Sequence, residues 1–315
     1  MQMNQMAELP RSNLSLAYDE FGSTRDSAII LIHGLGTQRI GWPDALCEQL
    51  AKAGYRVIRF DNRDIGQSTK IADRGRVNLP LIMLLRMLRL PARSPYSLED
   101  MAEDTKHLLD HLNINRAHIV GASMGGMIAQ LFCALFPHRS LSLTSIMSSS
   151  GKRNLPGPSD EVKKHLYSKP AGRSKAEIVN HEMKFWRLIS SNTYPPKEEE
   201  LQRFIKLSVE RNHPNQGGSE RQFSAILCNG DRTRFLQSIR VPSLVIHGRQ
   251  DPLVPLEAGL DTAKNIHACD LEIYDDMSHD LPTELLDTLA QRLLQHFSKS
   301  EEKGHVIAMT SRTND

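Results

Sequence analysis

A serine at the centre of a glycine-flanked turn is the residue best placed for chemistry in this chain. Ser123 is the third residue of GASMG (residues 121–125), which follows an apolar run and precedes a helical pattern. Strand, sharp turn and helix in this order hold a serine hydroxyl above a sheet. Gly121 and Gly125 fit because a Cβ there would collide with a neighbouring strand or helix. The turn also places the Met124 N–H at a helix N-terminus, where it can stabilise an oxyanion.

A serine becomes a strong nucleophile only when a base takes its proton and an acceptor orients that base. Two later predicted strands, at residues 241–247 and 270–274, are followed by Asp251 and His279. Each of these residues comes just past a strand, as Ser123 does. The sequence therefore predicts that Ser123, Asp251 and His279 form a catalytic triad, with an ordinary turn serine as the alternative for Ser123.

Two other histidines compete with His279 for the role of base. His247 lies at the end of a predicted strand and directly before the acid loop, which we expect it to line or support. His33 begins HGLG (residues 33–36), a turn rich in backbone N–H groups, and we expect its role to be structural.

Three other aspartates are alternatives to Asp251 for the role of the acid. Asp275 and Asp276 lie too near His279 in sequence to be its usual partner, and Asp231 precedes the last predicted core strands. An acid after an earlier strand would fall near residues 147–158, which contain no Asp or Glu.

The pattern of elements around these residues predicts the α/β fold class. Strand and helix patterns alternate in residues 1–150 and 235–298, which indicates a mostly parallel twisted sheet with helices on both faces. Residues 151–234 are rich in charge, proline and glycine and show helical spacing without a clear strand, which predicts an inserted helical cap. The polar tail at residues 299–315 is expected to fray or to be disordered.

Composition excludes several classes of partner. A net charge of +2, evenly spread over 315 residues, argues against nucleic-acid binding. The four cysteines form no CxxC pair, so we expect neither a disulfide framework nor a metal site, and a cytoplasmic location. His107, Asp110 and His111 share a helical face without a third ligand, so a solvated face is favoured over a metal site.

One apolar segment raises the question of membrane contact. Residues 79–90, LPLIMLLRMLRL, are too short to span a bilayer and contain two arginines. A buried or cap-facing amphipathic helix is favoured here over contact with a membrane surface. The oligomeric state is left open.

Five short motifs are spread along the chain: HGLG at 33–36, DNRDIGQS at 61–68, GASMGG at 121–126, GRQDPLVP at 248–255 and SHDLP at 278–282. Together they resemble the α/β-hydrolase family. Among its members the chain is most similar to carboxylic-ester hydrolases of the aclacinomycin methylesterase type.

The resemblance implies an assignment of roles. Ser123 would be the nucleophile, His279 the base and Asp251 the residue that orients it, with the Leu35 and Met124 amides as the oxyanion hole. The insertion would be a lid over the acyl site. No metal or organic cofactor is implied, and the implied substrate is a small-molecule ester.

The turn glycines and one charged pair have supporting roles in this hypothesis. Gly34 and Gly36 shape the oxyanion turn that His33 begins. Asp61 and Arg63 are expected to pin the adjacent loop by charge-assisted hydrogen bonds rather than to take part in the reaction.

Other activities fit the same residues. The same triad can cleave carbon–carbon bonds, act as a perhydrolase or act as an amidase. A lipase could use residues 79–90 as its lipid contact. A small-molecule receptor on the hydrolase fold is the alternative from a different class.

Overall fold

A single eight-stranded sheet organises the protein, whose computed structural model describes residues 1–71, 77–212 and 217–312, with side chains through Glu302. The strands are β1 (Gln2–Leu9), β2 (Leu14–Phe21), β3 (Ser27–Ile32), β4 (Tyr55–Phe60), β5 (Ala117–Ala122), β6 (Ser140–Ile146), β7 (Ser243–Gly248) and β8 (Cys269–Tyr274).

The sheet order is β1-β2-β4-β3-β5-β6-β7-β8. The pairs β1–β2 and β2–β4 are antiparallel, and all later pairs from β4 to β8 are parallel. This is the predicted mostly parallel sheet. Because parallel strands end at one edge, the segments that follow β3, β5, β7 and β8 all begin there.

Helices cover both faces of the sheet. They are α1 (Asp44–Lys52), α2 (Leu79–Met87), α3 (Leu98–His111), α4 (Met124–Leu135), α5 (Asp160–Leu166), α6 (Lys175–Ile189), α7 (Glu198–Arg211), α8 (Gly218–Asn229), α9 (Thr233–Ser238), α10 (Leu256–Asn265) and α11 (Leu286–Arg312).

Alternation along β3 shows how the central strands divide the core. Ile30 and Ile32 belong to the apolar cluster that includes α3 and α4, whereas Ile29 and Leu31 belong to the cluster that includes α1 and α11. All four side chains are fully buried. From Ala28 to Ile32 the strand is covered on both faces and is apolar at every position, as its sequence predicts.

The residues between β6 and β7 contain five helices and, in their described part, no strand. Helices α6 and α7 form a small apolar core of their own around Val179, Met183, Leu201 and Ile205. Helices α8 and α9 instead join the main core through Ala225 and Leu236. We call residues 151–234 the insertion; its role as a separate cap remains a proposal.

Two elements differ from the sequence-based expectation. The polar strand β1 was not predicted; it lies at the sheet edge, where its side chains alternate between exposed and more buried positions. Helix α11 continues to Arg312, past the boundary at which fraying is expected. Ser300 is buried and Glu301 contacts His118, so the helix is anchored beyond that boundary. Residues 313–315 lie outside the described residues.

The segment at residues 79–90 forms α2, which packs against α8 of the insertion. Only Ile82 of the helix is buried. The helix therefore faces the insertion on one side and is exposed on the other, and the expectation of a buried helix is wrong.

Candidate active site

Ser123 lies on the turn between β5 and α4 with backbone angles of φ +56° and ψ −120°. This conformation is strained for a residue with a Cβ and is held by its surroundings. The Ser123 N–H donates to the Ile146 carbonyl at 2.9 Å, and the Ser148 hydroxyl donates to the Ser123 carbonyl at 2.7 Å. The turn is fixed from both sides, and the side chain is partly exposed.

Glycine is required on both sides of Ser123 because the chain packs against itself there. A Cβ at Gly121 would lie 2.0 Å from the Gly125 carbonyl oxygen, and a Cβ at Gly125 would lie 2.0 Å from the Ile32 carbonyl oxygen. Real Cβ atoms do not approach backbone this closely, so the structure accounts for both glycines as the motif predicts.

His279 and Asp251 form a direct pair at the ends of β8 and β7. His279 Nδ1 lies 2.7 Å from Asp251 Oδ2, and the two side chains are 6% and 0% exposed. Asp251 Oδ1 accepts from the Leu253 and Val254 N–H groups at 2.9 and 2.8 Å. Because an ionised carboxylate only accepts hydrogen bonds, neutral His279 holds its proton on Nδ1 and presents a lone pair on Nε2.

The three aspartates that are alternatives to Asp251 make other contacts. Asp275 forms an ion pair with Arg249, Asp276 accepts from the Thr193 hydroxyl, and Asp231 accepts from the Thr233 N–H.

His247 adjoins the same carboxylate. Its Nε2 donates to the Val254 carbonyl at 2.7 Å and lies 3.6 Å from Asp251 Oδ2. Burial lowers the pKa of His247, which keeps the ring neutral. It therefore supports the acid loop, as expected from its position.

The oxyanion turn lies directly against Ser123. A Cβ at Gly34 would lie 3.0 Å from Ser123 Cβ and 3.4 Å from its hydroxyl oxygen. Neither the Leu35 N–H nor the Met124 N–H has an acceptor within the described part of the chain. An oxyanion hole requires unpaired backbone donors of this kind, so both N–H groups remain candidates for that role.

His33 is the first residue of this turn. Burial lowers the pKa of His33 to about 4. Its ring packs edge-on against Trp42 with the centroids 5.4 Å apart. A neutral, half-buried imidazole packed against Trp42 is consistent with the structural role expected for His33.

The structure brings these groups to one edge of the sheet but leaves one contact unmade. Within the described residues, the Ser123 hydroxyl has no hydrogen bond to His279. Such contacts are commonly long in ligand-free enzymes and tighten when substrate binds.

Gln222, on α8 of the insertion, holds the oxyanion turn in place. Its Oε1 accepts from the Gly36 N–H at 2.9 Å, and its Nε2 donates to the Arg63 carbonyl at 2.8 Å. The side chain is fully buried. This residue is not predicted from the sequence, because a glutamine in a polar helix far along the chain carries no local signal of this contact.

Asp61 and Arg63 hold their loop through separate partners rather than through each other. Asp61 accepts from the Arg39 N–H at 2.7 Å and from the Gln67 N–H at 2.9 Å. Arg63 forms a two-pronged pair with Asp104, with distances of 2.6 and 2.7 Å.

Other loop residues link it to its surroundings. Asn62 donates to the His33 carbonyl at 3.0 Å, and Asp64 binds Arg221 of α8 at 2.7 and 2.8 Å. The loop therefore connects the oxyanion turn to the insertion.

A second link between the insertion and the site involves Asp280, which was not predicted from the sequence to be a site residue. The Ser191 N–H donates to both Asp280 carboxylate oxygens at 3.2 and 3.1 Å, and the His279 N–H donates to the Ile189 carbonyl at 2.9 Å. Burial raises the pKa of Asp280 to about 6 against the opposing effect of Ser191. The C-terminal end of α6 is thus bonded to the loop of His279.

The described residues contain no cluster of His, Cys, Asp and Glu suited to a metal ion. Asp110, one of the residues considered for such a site, instead pairs with Lys106 and Arg139, both at 2.7 Å.

In the described part of the chain no helix has the length and apolarity needed to cross a bilayer.

Known proteins are similar to this chain in sequence and in architecture. The chain is 25% identical over 314 residues to rhodomycin D methylesterase DauP of Streptomyces sp. (strain C5), covering 91% of this chain and 96% of the relative. It is 28% identical over 284 residues to the 2-hydroxy-6-oxononadienedioate/2-hydroxy-6-oxononatrienedioate hydrolase of Burkholderia vietnamiensis, covering 85% of each.

A solved hydrolase from Pseudomonas aeruginosa PA01 superposes with a TM-score of 0.69 at 23% identity, covering 93% of this chain and 97% of its own. Residues 27–282 match the sequence profile of a protein family that is described as alpha/beta hydrolase fold. This match covers most of the chain, and with the eight-stranded sheet it shows that the protein belongs to the α/β-hydrolase fold family.

Proposed function

We propose that the protein is a serine hydrolase that cleaves carboxylic esters through an acyl-enzyme. The observation that carries the proposal is the 2.7 Å contact between His279 Nδ1 and Asp251 Oδ2, formed at the sheet edge where Ser123 occupies its strained turn. A buried acid that orients a neutral imidazole is what an otherwise weak serine nucleophile requires.

In the proposed first step, Ser123 Oγ attacks the ester carbonyl while His279 Nε2 takes the hydroxyl proton. The negative charge moves to the carbonyl oxygen, which the Leu35 and Met124 N–H groups hold. The tetrahedral intermediate then collapses, the C–O bond to the alcohol breaks, and His279 returns the proton to the departing alkoxide. Asp251 stabilises the imidazolium and stays ionised throughout.

In the second step, water takes the place of the alcohol. His279 removes a proton from the water as its oxygen attacks the acyl carbon, and the same two amides hold the new oxyanion. Collapse breaks the bond to Ser123 Oγ, which regains its proton from His279. The products are a carboxylic acid and an alcohol, and no cofactor enters the balance.

We propose that the insertion serves as the lid of this site. Gln222 of α8 bonds to the oxyanion turn, and the Ile189 carbonyl at the end of α6 accepts from the His279 N–H. The insertion is thus connected to both halves of the proposed machinery. Its side chains would set the acyl and alcohol preference.

Cleavage of a carbon–carbon bond is the second candidate. It is supported by the relative that is 28% identical to this chain and is named as a hydrolase of 2-hydroxy-6-oxo dienedioates and trienedioates. The attack on a carbonyl would be the same, but the leaving group would be a carbanion that must be stabilised and protonated on carbon. An ester needs only the proton that His279 already holds, so ester cleavage is the simpler use of this site.

The test is hydrolysis of p-nitrophenyl esters of increasing acyl length, beside a vinylogous β-diketone as the carbon–carbon substrate. We expect ester turnover that Ser123→Ala lowers by at least about 10³-fold. Ser150→Ala is the matched control, since Ser150 contacts Asp261 at 2.6 Å and not the site. Diketone cleavage without ester cleavage would favour the second candidate.

A receptor role is distinguished by covalent labelling. A receptor would bind a small molecule tightly, would not react with a fluorophosphonate at Ser123 and would turn over no member of the ester panel. That result would contradict both enzymatic proposals.

A further inference from the structure

Five large apolar side chains are exposed in and just after α2. They are Leu81, Leu84, Met87, Leu88 and Leu90, with exposures of 48%, 47%, 73%, 56% and 46%. We call these five residues the α2 apolar surface. Single exposed leucines are common on proteins, but several within one short segment form a patch of the kind that marks an interaction site.

The patch is the outer side of a helix whose inner side is already packed. Residues 81, 84 and 88 follow the spacing of one helical face, and Ile82 on the other side is buried. The α2 helix contacts α8, and the following segment is tied to α8 by a 2.5 Å hydrogen bond between the Ser94 and Ser224 hydroxyls. The exposed face therefore has its supporting contacts behind it, and no described element covers it.

The charged residues of the segment that forms this surface all have one sign. Arg86, Arg89 and Arg93 lie within or beside it, and the sequence contains no Asp or Glu from residue 74 to residue 98. Arg153 of the insertion donates to the Arg86 carbonyl at 2.9 Å, which brings a fourth guanidinium to the same side. A partner must therefore offer negative charge beside an apolar phase.

Two kinds of protein partner fit this surface poorly. A second copy meeting it face to face would place its arginines against these arginines without an acid on the 74–98 segment of either chain to compensate. A different protein would form about one hydrogen bond per 100–200 Å² of interface, whereas the apolar side chains here offer none. A lipid surface requires no such pairing.

We propose that the α2 apolar surface docks the protein on an anionic phospholipid bilayer. The leucines and Met87 enter the boundary between headgroups and acyl chains, and the arginines bind lipid phosphates at its edge. The helix is far too short to span the bilayer, so attachment is interfacial and reversible. This inference does not depend on the proposed reaction.

The test is co-sedimentation of the full chain with sucrose-loaded vesicles. We expect binding to mixed phosphatidylglycerol and phosphatidylcholine vesicles, weak binding to phosphatidylcholine alone, and release as salt rises. The triple variant Leu81→Gln/Leu84→Gln/Leu88→Gln should bind at least about tenfold more weakly. Its matched control is Leu207→Gln/Leu260→Gln, two leucines exposed by 45% and 40% outside the surface.

A second pair of variants tests the charge. Each surface arginine contributes roughly fivefold to binding, so Arg89→Gln/Arg93→Gln should weaken it about 25-fold. Arg89→Lys/Arg93→Lys keeps the charge and should bind nearly as well as wild type. Circular dichroism confirms that every variant compared is folded.

Failure of the folded wild type to bind anionic vesicles would overturn the proposal, and so would equal binding by the triple variant and its control. A dimer at micromolar concentration that the triple substitution abolishes would also overturn it, because the occupant would then be a second copy of this chain.

Discussion

Replacing Gln222 by leucine tests whether the insertion positions the oxyanion hole. Gln222→Leu keeps the buried volume but removes both amide contacts, which join Oε1 to the Gly36 N–H at 2.9 Å and Nε2 to the Arg63 carbonyl at 2.8 Å. The Leu35 N–H directly precedes Gly36, so loss of the anchor allows this donor to shift.

The structure sets the size of two separate effects. Two backbone groups lose their partners, at about 1–3 kcal/mol each, so we expect the free energy of unfolding to fall by about 2–6 kcal/mol. Complete loss of an oxyanion donor costs about 10²–10³ in kcat, so a displaced donor should cost about 10–100-fold. KM should change by less than about threefold, because this contact forms mainly in the transition state.

Steady-state hydrolysis of p-nitrophenyl butyrate gives kcat and KM, and urea unfolding gives the stability. Inhibition by a boronic acid, which forms a tetrahedral adduct with a serine, reports the oxyanion contact directly. Its affinity should fall by the same factor as kcat.

Gln130→Leu is the matched control. Gln130 is also fully buried and also bridges two groups, Ser145 at 3.0 Å and Arg232 at 3.3 Å, without contacting the oxyanion turn. It should lose similar stability while kcat changes by less than about threefold. If both variants lose kcat and boronate affinity equally, Gln222 is only a structural residue and the reasoning is refuted.

Three further variants probe the site from other directions. Asp251→Asn removes the acceptor that fixes the His279 tautomer, so kcat should fall by about 10³–10⁴-fold with folding preserved; a loss below tenfold would exclude Asp251 as the orienting acid. Ser123→Gly accepts the φ of +56° without a Cβ, so it should raise the free energy of unfolding by about 1 kcal/mol while abolishing turnover, and Ser123→Ala, which retains the Cβ, should not gain this stability. Burial raises the pKa of Asp280 to about 6, so the folded protein binds a proton that the unfolded chain releases between about pH 4 and pH 6, and stability should fall as pH rises through this window. Asp280→Asn should flatten that dependence by on the order of 2 kcal/mol in urea unfolding measured at each pH, and an unchanged profile would contradict the assignment.

Local patterns predicted the parts of the fold in which burial is regular. The apolar runs at residues 28–32 in β3 and 244–246 in β7 are covered on both faces, so their sequences leave little choice of structure. The polar strand β1 escaped prediction because it lies at the sheet edge and pairs only with β2. Its partner, rather than its own composition, makes it a strand.

The candidate site divides in the same way. Ser123, Asp251 and His279 follow strand ends directly, so their shared position at one edge could be expected from the sequence. Gln222 and Asp280 could not, because their contacts join segments far apart in the chain, and a single sequence contains no trace of that proximity. The sequence suggests that Arg63 holds its loop, but it does not reveal the partner, Asp104, which only the packing of α3 brings near.

The most direct measurement of the central claim is covalent capture of the nucleophile. Treatment of the folded protein with a fluorophosphonate, followed by intact-mass and peptide mass spectrometry, should show one adduct per chain on Ser123. Labelling should be far slower in His279→Ala and absent in Ser123→Ala. No adduct on the folded wild type, or an adduct on a different serine while Ser123 stays unmodified, would contradict the account.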